Sequence, residues 1–333
     1  MSLSNRTAEE DSLCLPAYFH DLTVNRLLGR GRSGKVYLVE NPAGKKAALK
    51  VTFCSTPRLT NSAIREYAFL QRMSGSLRVL TCYDFRLETS PRGVMSAWLL
   101  EEIAHTLSAD DPSLTARERL AVGISLCDAL IDCRLKGIAH LDVKQSNVFR
   151  GADGIWKLGD FSHSARISHL SRIHSPVGSP GYMAPEVFSD CRFSQQSDIY
   201  SAGVLIFRLF TGFMPFRCDA VRPSRGEDDI LPTEGLTPPL KQILCRATAY
   251  RPEDRYATFE ELRGDLLALH TRDLPRSSDI LAFTARTPDN GCPPAGSQTL
   301  TGSMGHTFSF ENRSDAAYWY AEPTWSTEGG VFD

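Results

Sequence analysis

Residues 140–147 read HLDVKQSN, and this octapeptide decides the class of fold more than any other stretch of the chain. It places a carboxylate, an amine and an amide within one short loop. Asp142 is suited to accept the proton of an attacking hydroxyl, Lys144 to neutralise charge on a phosphoryl group, and Asn147 to ligate a magnesium ion. Phosphoryl transfer from ATP requires these groups at this spacing, so the loop predicts such a site.

A glycine-rich stretch lies upstream, where residues 29–34 read GRGRSG. A dinucleotide-binding fingerprint would continue into a helix, but the following KVYLV is typical of a strand. A P-loop would need Ser or Thr after its lysine, where this chain has Val36. We therefore expect a glycine-rich hairpin whose backbone amides, at Gly29, Gly31 and Gly34, approach phosphate oxygens. A glycine-rich turn without a ligand is the alternative.

Two charged residues further along the chain form a candidate ion pair. Lys50 ends an apolar strand pattern, where a lysine is ordinarily a surface residue with its ammonium group in solvent. Glu66 is the only acidic residue in the helical pattern of residues 63–73. If Glu66 holds Lys50, the pair would aim the ammonium group at the nucleotide phosphates.

Four more residues have a predicted role. Asp160 follows the strand pattern of residues 155–158 and is placed to bind magnesium, although an Asp in a turn after a strand is common. Glu186 has a plausible buried partner in Arg255, and we expect this pair to be structural. Asp198 begins a helical pattern, so we expect it to cap that helix and to anchor the scaffold.

The composition indicates an ordinary globular protein. The chain has 333 residues, of which 42% are hydrophobic and 23% charged, with a formal net charge of −2. This balance argues against nucleic-acid and membrane-surface binding, and the most apolar segment, residues 204–216, is too short to span a bilayer. Nine cysteines without a C-x-x-C pair favour free thiols in a reducing compartment. We expect a soluble intracellular protein without a signal peptide, in the cytoplasm or nucleus.

The pattern along the chain predicts a strand-rich part followed by a helical part. Strands are expected within residues 22–51, 77–85 and 93–100, and helices over residues 63–73, from 115 onward, and over 198–211, 236–246 and 258–269. Residues 1–20 are expected to be a flexible leader and residues 275–333 a largely disordered tail. Whether the aromatic residues of that tail dock on a partner or on the domain itself is open; they are Tyr318, Trp319, Tyr320 and Trp325.

Taken in order, these motifs resemble the eukaryotic-type protein kinase family over about residues 22–274. The resemblance implies an α+β, bilobal protein-kinase fold within a domain of residues 21–274, with ATP bound between the lobes. The small N-lobe, residues 21–101, would hold an antiparallel β-sheet and one helix. The larger C-lobe, residues 104–274, would be α-helical.

The resemblance also implies a role for each matching residue. Catalysis would fall to Asp142, Lys144, Lys50 and Glu66. Asn147 and Asp160 would bind Mg²⁺, with Mn²⁺ as the alternative ion. The nucleotide would be bound by Gly29, Gly31, Gly34, Val36, Ala48, Lys50, Glu101, Ile103 and Phe149. Among these, Glu101 and Ile103 would offer hinge backbone groups to adenine, and Leu100 would gate the back pocket.

Lys144 and the stretch GSPGYM at residues 178–183 resemble the Ser/Thr kinases rather than the tyrosine kinases. In that class we expect Ser179 to hydrogen-bond Asp142 or Lys144. Kinases that select arginine upstream of the acceptor carry acidic residues at two positions that correspond here to Ser146 and Arg208. We therefore expect no strong preference for upstream arginine.

Two positions depart from the family pattern. Leu141 stands where the catalytic-loop arginine is usual, and Ser162 gives Asp-Phe-Ser in place of Asp-Phe-Gly. Neither change removes a phosphate or metal ligand. Leu141 cannot pair with a phosphate on the activation segment, so we expect it to pack in an apolar site and activity not to need phosphorylation there.

The function predicted from these residues is ATP-dependent transfer of the γ-phosphoryl group to Ser or Thr hydroxyls of protein substrates. The alternative is a pseudokinase scaffold that binds nucleotide and partner proteins without efficient catalysis. A small-molecule kinase is disfavoured by residues 184–186, which resemble a peptide-substrate platform. The oligomeric state and the physiological substrates are left open.

Overall fold

The computed structural model describes residues 13, 15–31, 34–90, 93–108, 111–215, 236–271, 298–301, 307–310 and 321–322. The chain divides into two compact units. The first holds Met1–Leu107 and Ser146–Ser164, and the second holds Ser108–Gln145 and Ala165–Asp333. Residues 146–164, which the sequence assigns to the C-lobe, therefore group with the first unit, and the lobe boundary near residues 101–104 stays a prediction.

A five-stranded antiparallel sheet forms the main part of the first unit, in the order β1-β2-β3-β5-β4. One helix, α1 (Pro57–Arg72), lies between β3 and β4 in the chain. This confirms the antiparallel sheet with one helix. The strands are β1 (Thr23–Arg30), β2 (Gly34–Glu40), β3 (Lys46–Phe53), β4 (Cys82–Thr89) and β5 (Met95–Glu101).

Helix α1 begins at Pro57, six residues before the predicted start. The side chain of Thr56 accepts a hydrogen bond from the Leu59 N–H at 3.3 Å, and proline at the first helical position has no N–H to satisfy. The first turn is largely exposed and carries no apolar periodicity, so the pattern from residue 63 onward missed it.

The strand predicted over residues 77–85 begins only at Cys82. The apolar residues before it are buried for another reason. Val79 forms a parallel bridge with Leu158, and the Leu80 N–H donates to the Leu158 carbonyl oxygen at 3.0 Å. The apolar run is thus held by a second, smaller sheet and not by the main one.

That smaller sheet is antiparallel, has the order β6-β8-β9 and belongs to the first unit. Its strands are β6 (Ala104–Thr106), β8 (Val148–Gly151) and β9 (Trp156–Leu158). Asn147 directly precedes β8, and Asp160 lies two residues after β9. The Gly159 N–H donates to the Asn147 carbonyl oxygen at 2.9 Å, so the sheet brings these two positions together.

The second unit is mainly helical, as predicted. Its helices are α2 (Ala116–Leu135), α3 (Pro185–Asp190), α4 (Gln195–Thr211), α5 (Pro238–Ala247) and α6 (Phe259–His270). Two short strands, β7 (Ile138–Ala139) and β10 (Ala165–Arg166), pair antiparallel. Helix α4 is buried nearly all round and packs against both α2 and α5. None of the helices in the described part of the chain is long and apolar enough to cross a membrane.

Three short strands lie within residues 275–333, where the sequence predicts little regular structure. They form an antiparallel sheet and are β11 (Gln298–Thr301), β12 (Thr307–Phe310) and β13 (Ala321–Glu322). The rest of that segment lies outside the described residues, as do its aromatic cluster and residues 1–12 of the expected leader.

A buried ion pair fixes α3 within the second unit, as the sequence predicts. Arg255 donates from both terminal nitrogens to the two carboxylate oxygens of Glu186, at 2.9 and 2.8 Å. Three backbone carbonyls accept the remaining hydrogen bonds of the guanidinium group; they belong to Ala249, Gln196 and Tyr250. Both side chains are almost fully buried, so either one left alone would be an uncompensated buried charge.

We predict that Arg255→Leu lowers the free energy of unfolding by about 3–5 kcal/mol, because it leaves the Glu186 carboxylate buried without its cation. The matched control is Arg192→Leu, which breaks the exposed pair with Asp190 and should cost about 0–1 kcal/mol. Urea unfolding curves of the two variants measure both values. Equal losses would contradict the structural role of the buried pair.

Candidate active site

Three charged residues converge in the first unit. Lys50, on β3, lies 2.6 Å from the Glu66 carboxylate on α1 and 3.4 Å from the Asp160 carboxylate after β9. Glu66 is 3% exposed, whereas the side chain of Asp160 keeps 29% of its surface exposed. The predicted pairing of Lys50 with Glu66 is confirmed, and Asp160 joins it as a second carboxylate.

Three acidic side chains act on the charge of Lys50. Burial by itself would lower the pKa of Lys50, but the carboxylates of Asp160, Glu66 and Glu101 outweigh burial and raise it. Lys50 therefore keeps its positive charge throughout the physiological pH range. Burial raises the pKa of Glu101 to about 8 and also raises the pKa of Glu66, so the group favours protonated carboxyls as well as a charged ammonium.

Asp160 is held in an unusual backbone conformation. Its φ angle is 59°, in the left-handed region that side chains other than glycine rarely adopt. Ser162 supports this conformation, because its hydroxyl donates to Asp160 Oδ1 at 2.7 Å. The Ser162 carbonyl oxygen in turn accepts from the Ser62 hydroxyl on α1 at 3.0 Å. The serine that replaces the usual glycine thus adds a contact to the carboxylate.

The donor atoms near Asp160 fit a divalent cation that is shared with a nucleotide. Asn147 and Asp160 supply an amide oxygen and a carboxylate, which are ligand types that Mg²⁺ accepts, and Gly159 ties the two positions together. The described residues contain no group of three or more His, Cys, Asp or Glu side chains able to hold a metal by themselves. A cation at this site would therefore need substrate phosphates to complete its coordination.

The glycine-rich stretch forms the hairpin between β1 and β2, as predicted. Gly29 pairs with Val36 across the hairpin, and the Gly31 N–H donates to the Gly34 carbonyl oxygen at 2.8 Å. Gly34 has a steric reason to be glycine, because a Cβ atom there would overlap the Val51 carbonyl oxygen. Strand pairing thus requires the third glycine, whereas a Cβ atom would meet nothing within 4 Å at Gly29 and only an ordinary contact, with the Gly34 carbonyl oxygen, at Gly31.

The register of the main sheet decides which side chains share a face with Lys50. Lys50 pairs with Leu99 and with Val36, and Ala48 pairs with Glu101. Side chains of paired residues lie on the same face and those of neighbours on opposite faces. Val36, Ala48, Lys50, Leu99 and Glu101 therefore share one face.

Leu100 lies on the other face, where it packs against the cluster that contains Leu49 and Trp98. The expectation that Leu100 gates the back pocket is therefore wrong. The sequence signal available was the acidic pair Glu101-Glu102, which directly follows the apolar run of residues 97–100. Without the strand register, that signal does not tell which of the two neighbours faces Lys50.

In the second unit, a buried carboxylate positions the catalytic loop. Asp198 accepts hydrogen bonds from the backbone N–H groups of His140 at 2.9 Å and Leu141 at 3.0 Å. Burial raises the pKa of Asp198 to about 6, while these two donors act to lower it. The predicted role as scaffold anchor is confirmed. The predicted role as helix cap is wrong, because α4 begins earlier and Ser194 forms its capping box.

Three polar side chains form a closed triangle in the same unit. Lys144 Nζ donates to Asp142 Oδ2 at 2.7 Å and to Ser179 Oγ at 3.0 Å. The Ser179 hydroxyl donates to Asp142 Oδ1 at 2.8 Å. The predicted contact of Ser179 with Asp142 or Lys144 is confirmed with both partners. Since Asp142 is 3% exposed, its carboxylate is fixed in orientation by these contacts.

Leu141, next to Asp142, adopts the left-handed conformation with φ of 66°. Its side chain is buried in an apolar cluster, as predicted; the other members are Ala139, Leu170, Ala165, Ile173, Val177 and Phe193. Four of them, from Ala165 to Val177, lie in the segment that precedes Ser179. Gly178 has a φ of 121° and lies against the backbone of Leu141. A Cβ atom at Gly178 would be 2.7 Å from the Leu141 carbonyl oxygen, so this close contact requires glycine. Apolar packing thus connects the loop to that segment.

The comparisons with known proteins agree with this geometry. The family model of the protein kinase domain matches residues 22–265. Serine/threonine-protein kinase Pkn1 of Myxococcus xanthus is 30% identical over 291 residues, covering 79% of this chain and 41% of that protein. Serine/threonine-protein kinase PknB of Mycolicibacterium smegmatis is 26% identical over 242 residues, covering 65% and 37%. CBL-interacting protein kinase 4 of Oryza sativa is 30% identical over 253 residues, covering 70% and 54%.

The chain belongs to the protein kinase family, because the family model covers most of its length. The match takes in 41% of the Myxococcus protein and 37% of the Mycolicibacterium protein, so the chain spans less than half the length of these two relatives.

We predict that Ser179→Ala lowers kcat by about tenfold or more and leaves the affinity for ATP nearly unchanged. The variant removes one donor from Asp142 and one acceptor from Lys144, while the groups around Lys50 are untouched. Steady-state kinetics with ATP as the varied substrate separate the two effects. The control is Ser171→Ala, at an exposed serine of the same segment. Equal losses of kcat and ATP affinity would contradict the assigned role.

Proposed function

We propose that this chain is an active serine/threonine protein kinase, which transfers the γ-phosphoryl group of ATP to Ser or Thr hydroxyls of protein substrates. The observation that carries the proposal is the triangle of Asp142, Lys144 and Ser179. A general base needs a fixed orientation, and an ammonium group beside it can stabilise the charge of the phosphoryl group in transfer. The names of the two bacterial relatives, both serine/threonine-protein kinases, support the same activity.

Each member of the triangle has a distinct task. Asp142 orients the substrate hydroxyl through a carboxylate oxygen and takes its proton as the oxygen attacks phosphorus. Lys144 stabilises the negative charge that develops on the transferred group. Ser179 holds both side chains in register, so that little reorganisation accompanies transfer.

The residues of the first unit bind the nucleotide. Lys50 keeps its positive charge because of the surrounding carboxylates, and Glu66 fixes its direction, so its ammonium group binds phosphate oxygens. The hairpin between β1 and β2 approaches the phosphates at Gly29 and Gly31, where side chains are absent, and the Gly31 N–H would exchange its bond to the Gly34 carbonyl oxygen for a phosphate oxygen. The roles of Val36, Ala48 and Phe149 beside the base, and of the Glu101 and Ile103 backbone groups, remain part of this proposal.

A divalent cation completes the nucleotide site. Asn147 and Asp160 would hold it, and Mg²⁺ suits their oxygen donors best, with Mn²⁺ as a substitute. When bound, the cation neutralises charge on the phosphates and stabilises the leaving group. Ser162 donates a hydrogen bond to Asp160 Oδ1, which restricts the orientation of the carboxylate that would hold the cation.

The second candidate function is a pseudokinase scaffold. Leu141 and Ser162 are the two departures that favour it. The structure gives each of them a supporting contact, since Leu141 packs in an apolar cluster and Ser162 donates to Asp160. Neither residue displaces a catalytic group, so an active enzyme is the better conclusion.

Substrate preference and regulation follow from two further residues. Arg208 donates to the Tyr182 hydroxyl at 3.2 Å, and a basic residue at this position disfavours substrates with upstream arginine. Leu141 carries no charge to pair with a phosphate. The apolar cluster around Leu141 joins the catalytic loop to the segment before Ser179, where other kinases use an arginine and a phosphate. Activity therefore does not depend on phosphorylation of that segment. Intracellular protein substrates fit this proposal, with no nucleic acid or membrane partner.

We predict that Lys50→Met, Asp142→Asn and Asp160→Asn each lower phosphoryl transfer to a generic protein substrate by about a hundredfold or more. Each substitution removes a charge that positions or stabilises the transferred group. Radiolabelled ATP with Mg²⁺, and in a parallel assay with Mn²⁺, measures the rate.

The control for these three variants is Lys45→Met, at an exposed lysine near the start of β3. Wild-type protein that transfers no more label than Asp160→Asn would contradict an active kinase and favour the scaffold.

A further inference from the structure

Ser62 is a polar residue of α1 that the proposed reaction does not use. Its hydroxyl donates to the Ser162 carbonyl oxygen at 3.0 Å, although the two residues lie 100 positions apart in the chain. Ser62 stands four residues before Glu66, and side chains at this spacing share one face of a helix. The face of α1 that presents Glu66 to Lys50 therefore also holds the segment after β9, at Ser162.

Ser162 also contacts Asp160. Its hydroxyl donates to Asp160 Oδ1 at 2.7 Å, and its backbone N–H donates to the same oxygen at 3.4 Å. Asp160 has a φ of 59°, a conformation that persists only where the surrounding contacts determine it. Ser62 and Ser162 thus connect α1 to the carboxylate to which we assign the metal ion, and all three residues belong to the first unit.

A second connection between α1 and Asp160 runs through Lys50. Lys50 Nζ lies 2.6 Å from the Glu66 carboxylate and 3.4 Å from Asp160 Oδ1. The second distance is long, because charge-assisted hydrogen bonds usually measure about 2.7–2.9 Å. Phosphates that bind the Lys50 ammonium group would compete with Asp160 for it. The connection through the two serines contains no group that we assign to the phosphates, so it remains in place when the nucleotide is bound.

We propose that Ser62 and Ser162 act together as positioning residues, which hold Asp160 against α1 with its carboxylate oriented for a divalent cation. A ligand that is already fixed loses less conformational freedom when the cation binds. The pair therefore strengthens the part of nucleotide binding that depends on the cation, and it leaves the contacts at Lys50 and at the hairpin unchanged. This inference rests on the proposed function, because it takes Asp160 as a metal ligand.

Direct binding of an ATP analogue tests the pair without any need for phosphoryl transfer. The full chain is titrated calorimetrically with adenylyl imidodiphosphate, once with Mg²⁺ and once with EDTA. The ratio of the Kd in EDTA to the Kd in Mg²⁺ measures what the cation contributes to binding. We expect wild-type protein to bind the analogue more tightly with Mg²⁺.

Two single variants remove one hydrogen bond each. Ser62→Ala removes the donor to the Ser162 carbonyl oxygen, and Ser162→Ala removes the hydroxyl that donates to Asp160. Alanine fits both backbones, since Ser62 is helical and Ser162 lies outside the left-handed region. We expect each variant to lower the Kd ratio by about fivefold and to change the Kd in EDTA by less than about twofold.

The double variant tests whether the two serines act as a unit. Each single substitution breaks the same connection, so the double variant should have a Kd ratio within about twofold of the lower single variant. Ser62→Thr keeps the hydroxyl and should keep the ratio within about twofold of wild-type protein. The matched control is Ser74→Ala, at an exposed serine just after α1, which should leave both Kd values unchanged. Ser162→Ala and Ser62→Thr keep the test decisive if Ser62→Ala does not fold.

The outcomes separate the serine pair from the proposed function. Unchanged ratios in the variants, with Mg²⁺-dependent binding by wild-type protein, overturn the pair alone. Losses that multiply in the double variant also overturn it, because they indicate two independent contacts. Equal losses with Mg²⁺ and with EDTA indicate a general structural role and overturn it as well. Wild-type protein that does not bind the analogue, or binds it equally with Mg²⁺ and with EDTA, overturns the inference together with the proposed nucleotide and metal site.

Discussion

The buried carboxylate of Asp198 is the contact on which the rest of the second unit depends. It accepts hydrogen bonds from the backbone N–H groups of two successive residues, His140 and Leu141. These bonds fix the loop that contains Asp142. A left-handed residue at Leu141 costs of the order of 1–3 kcal/mol and persists only where surrounding contacts determine it. Asp198 supplies the polar contacts and the apolar cluster around Leu141 supplies the packing.

In the first unit, the positive charge of the Lys50 ammonium group is held in a partly buried position. Lys50 would lose its proton more readily on burial, but three carboxylates hold the charge on it. Two of them, Glu66 and Asp160, come from separate elements, α1 and the turn after β9. Folding of the unit thus brings together the ammonium group to which we assign the phosphates and the carboxylate that we propose as a metal ligand. Glu101, the third, adds a group that neither of these roles uses.

Much of the site could be predicted from the sequence, because its residues occur in short local patterns. Asp142, Lys144 and Asn147 lie within one octapeptide, and Lys50 and Glu66 each stand out as a charge in an apolar pattern. The contact of Ser179 with Asp142 or Lys144 joins two separate segments, and it was expected from the family resemblance.

The features that the sequence did not reveal depend on pairing between distant segments. Leu100 and Glu101 are neighbours, and only the register of β3 against β5 tells which of them faces Lys50. The apolar residues Val79 and Leu80 suggested a longer β4, but they are bound to Leu158 in another sheet. The cap of α4 was assigned to Asp198 because an acid at a helix start is usually a cap, whereas its carboxylate is directed to the catalytic loop.

We propose that apolar packing at Leu141, together with Asp198, fixes the catalytic loop without a phosphate. The most direct measurement is kcat of Leu141→Arg, compared with Leu141→Met as an apolar control and with wild-type protein, all verified by mass to be unphosphorylated. We expect kcat to fall about tenfold or more for arginine, because a charge must enter an apolar cluster, and to change within about threefold for methionine. Arginine giving activity equal to or above that of wild-type protein would contradict the account.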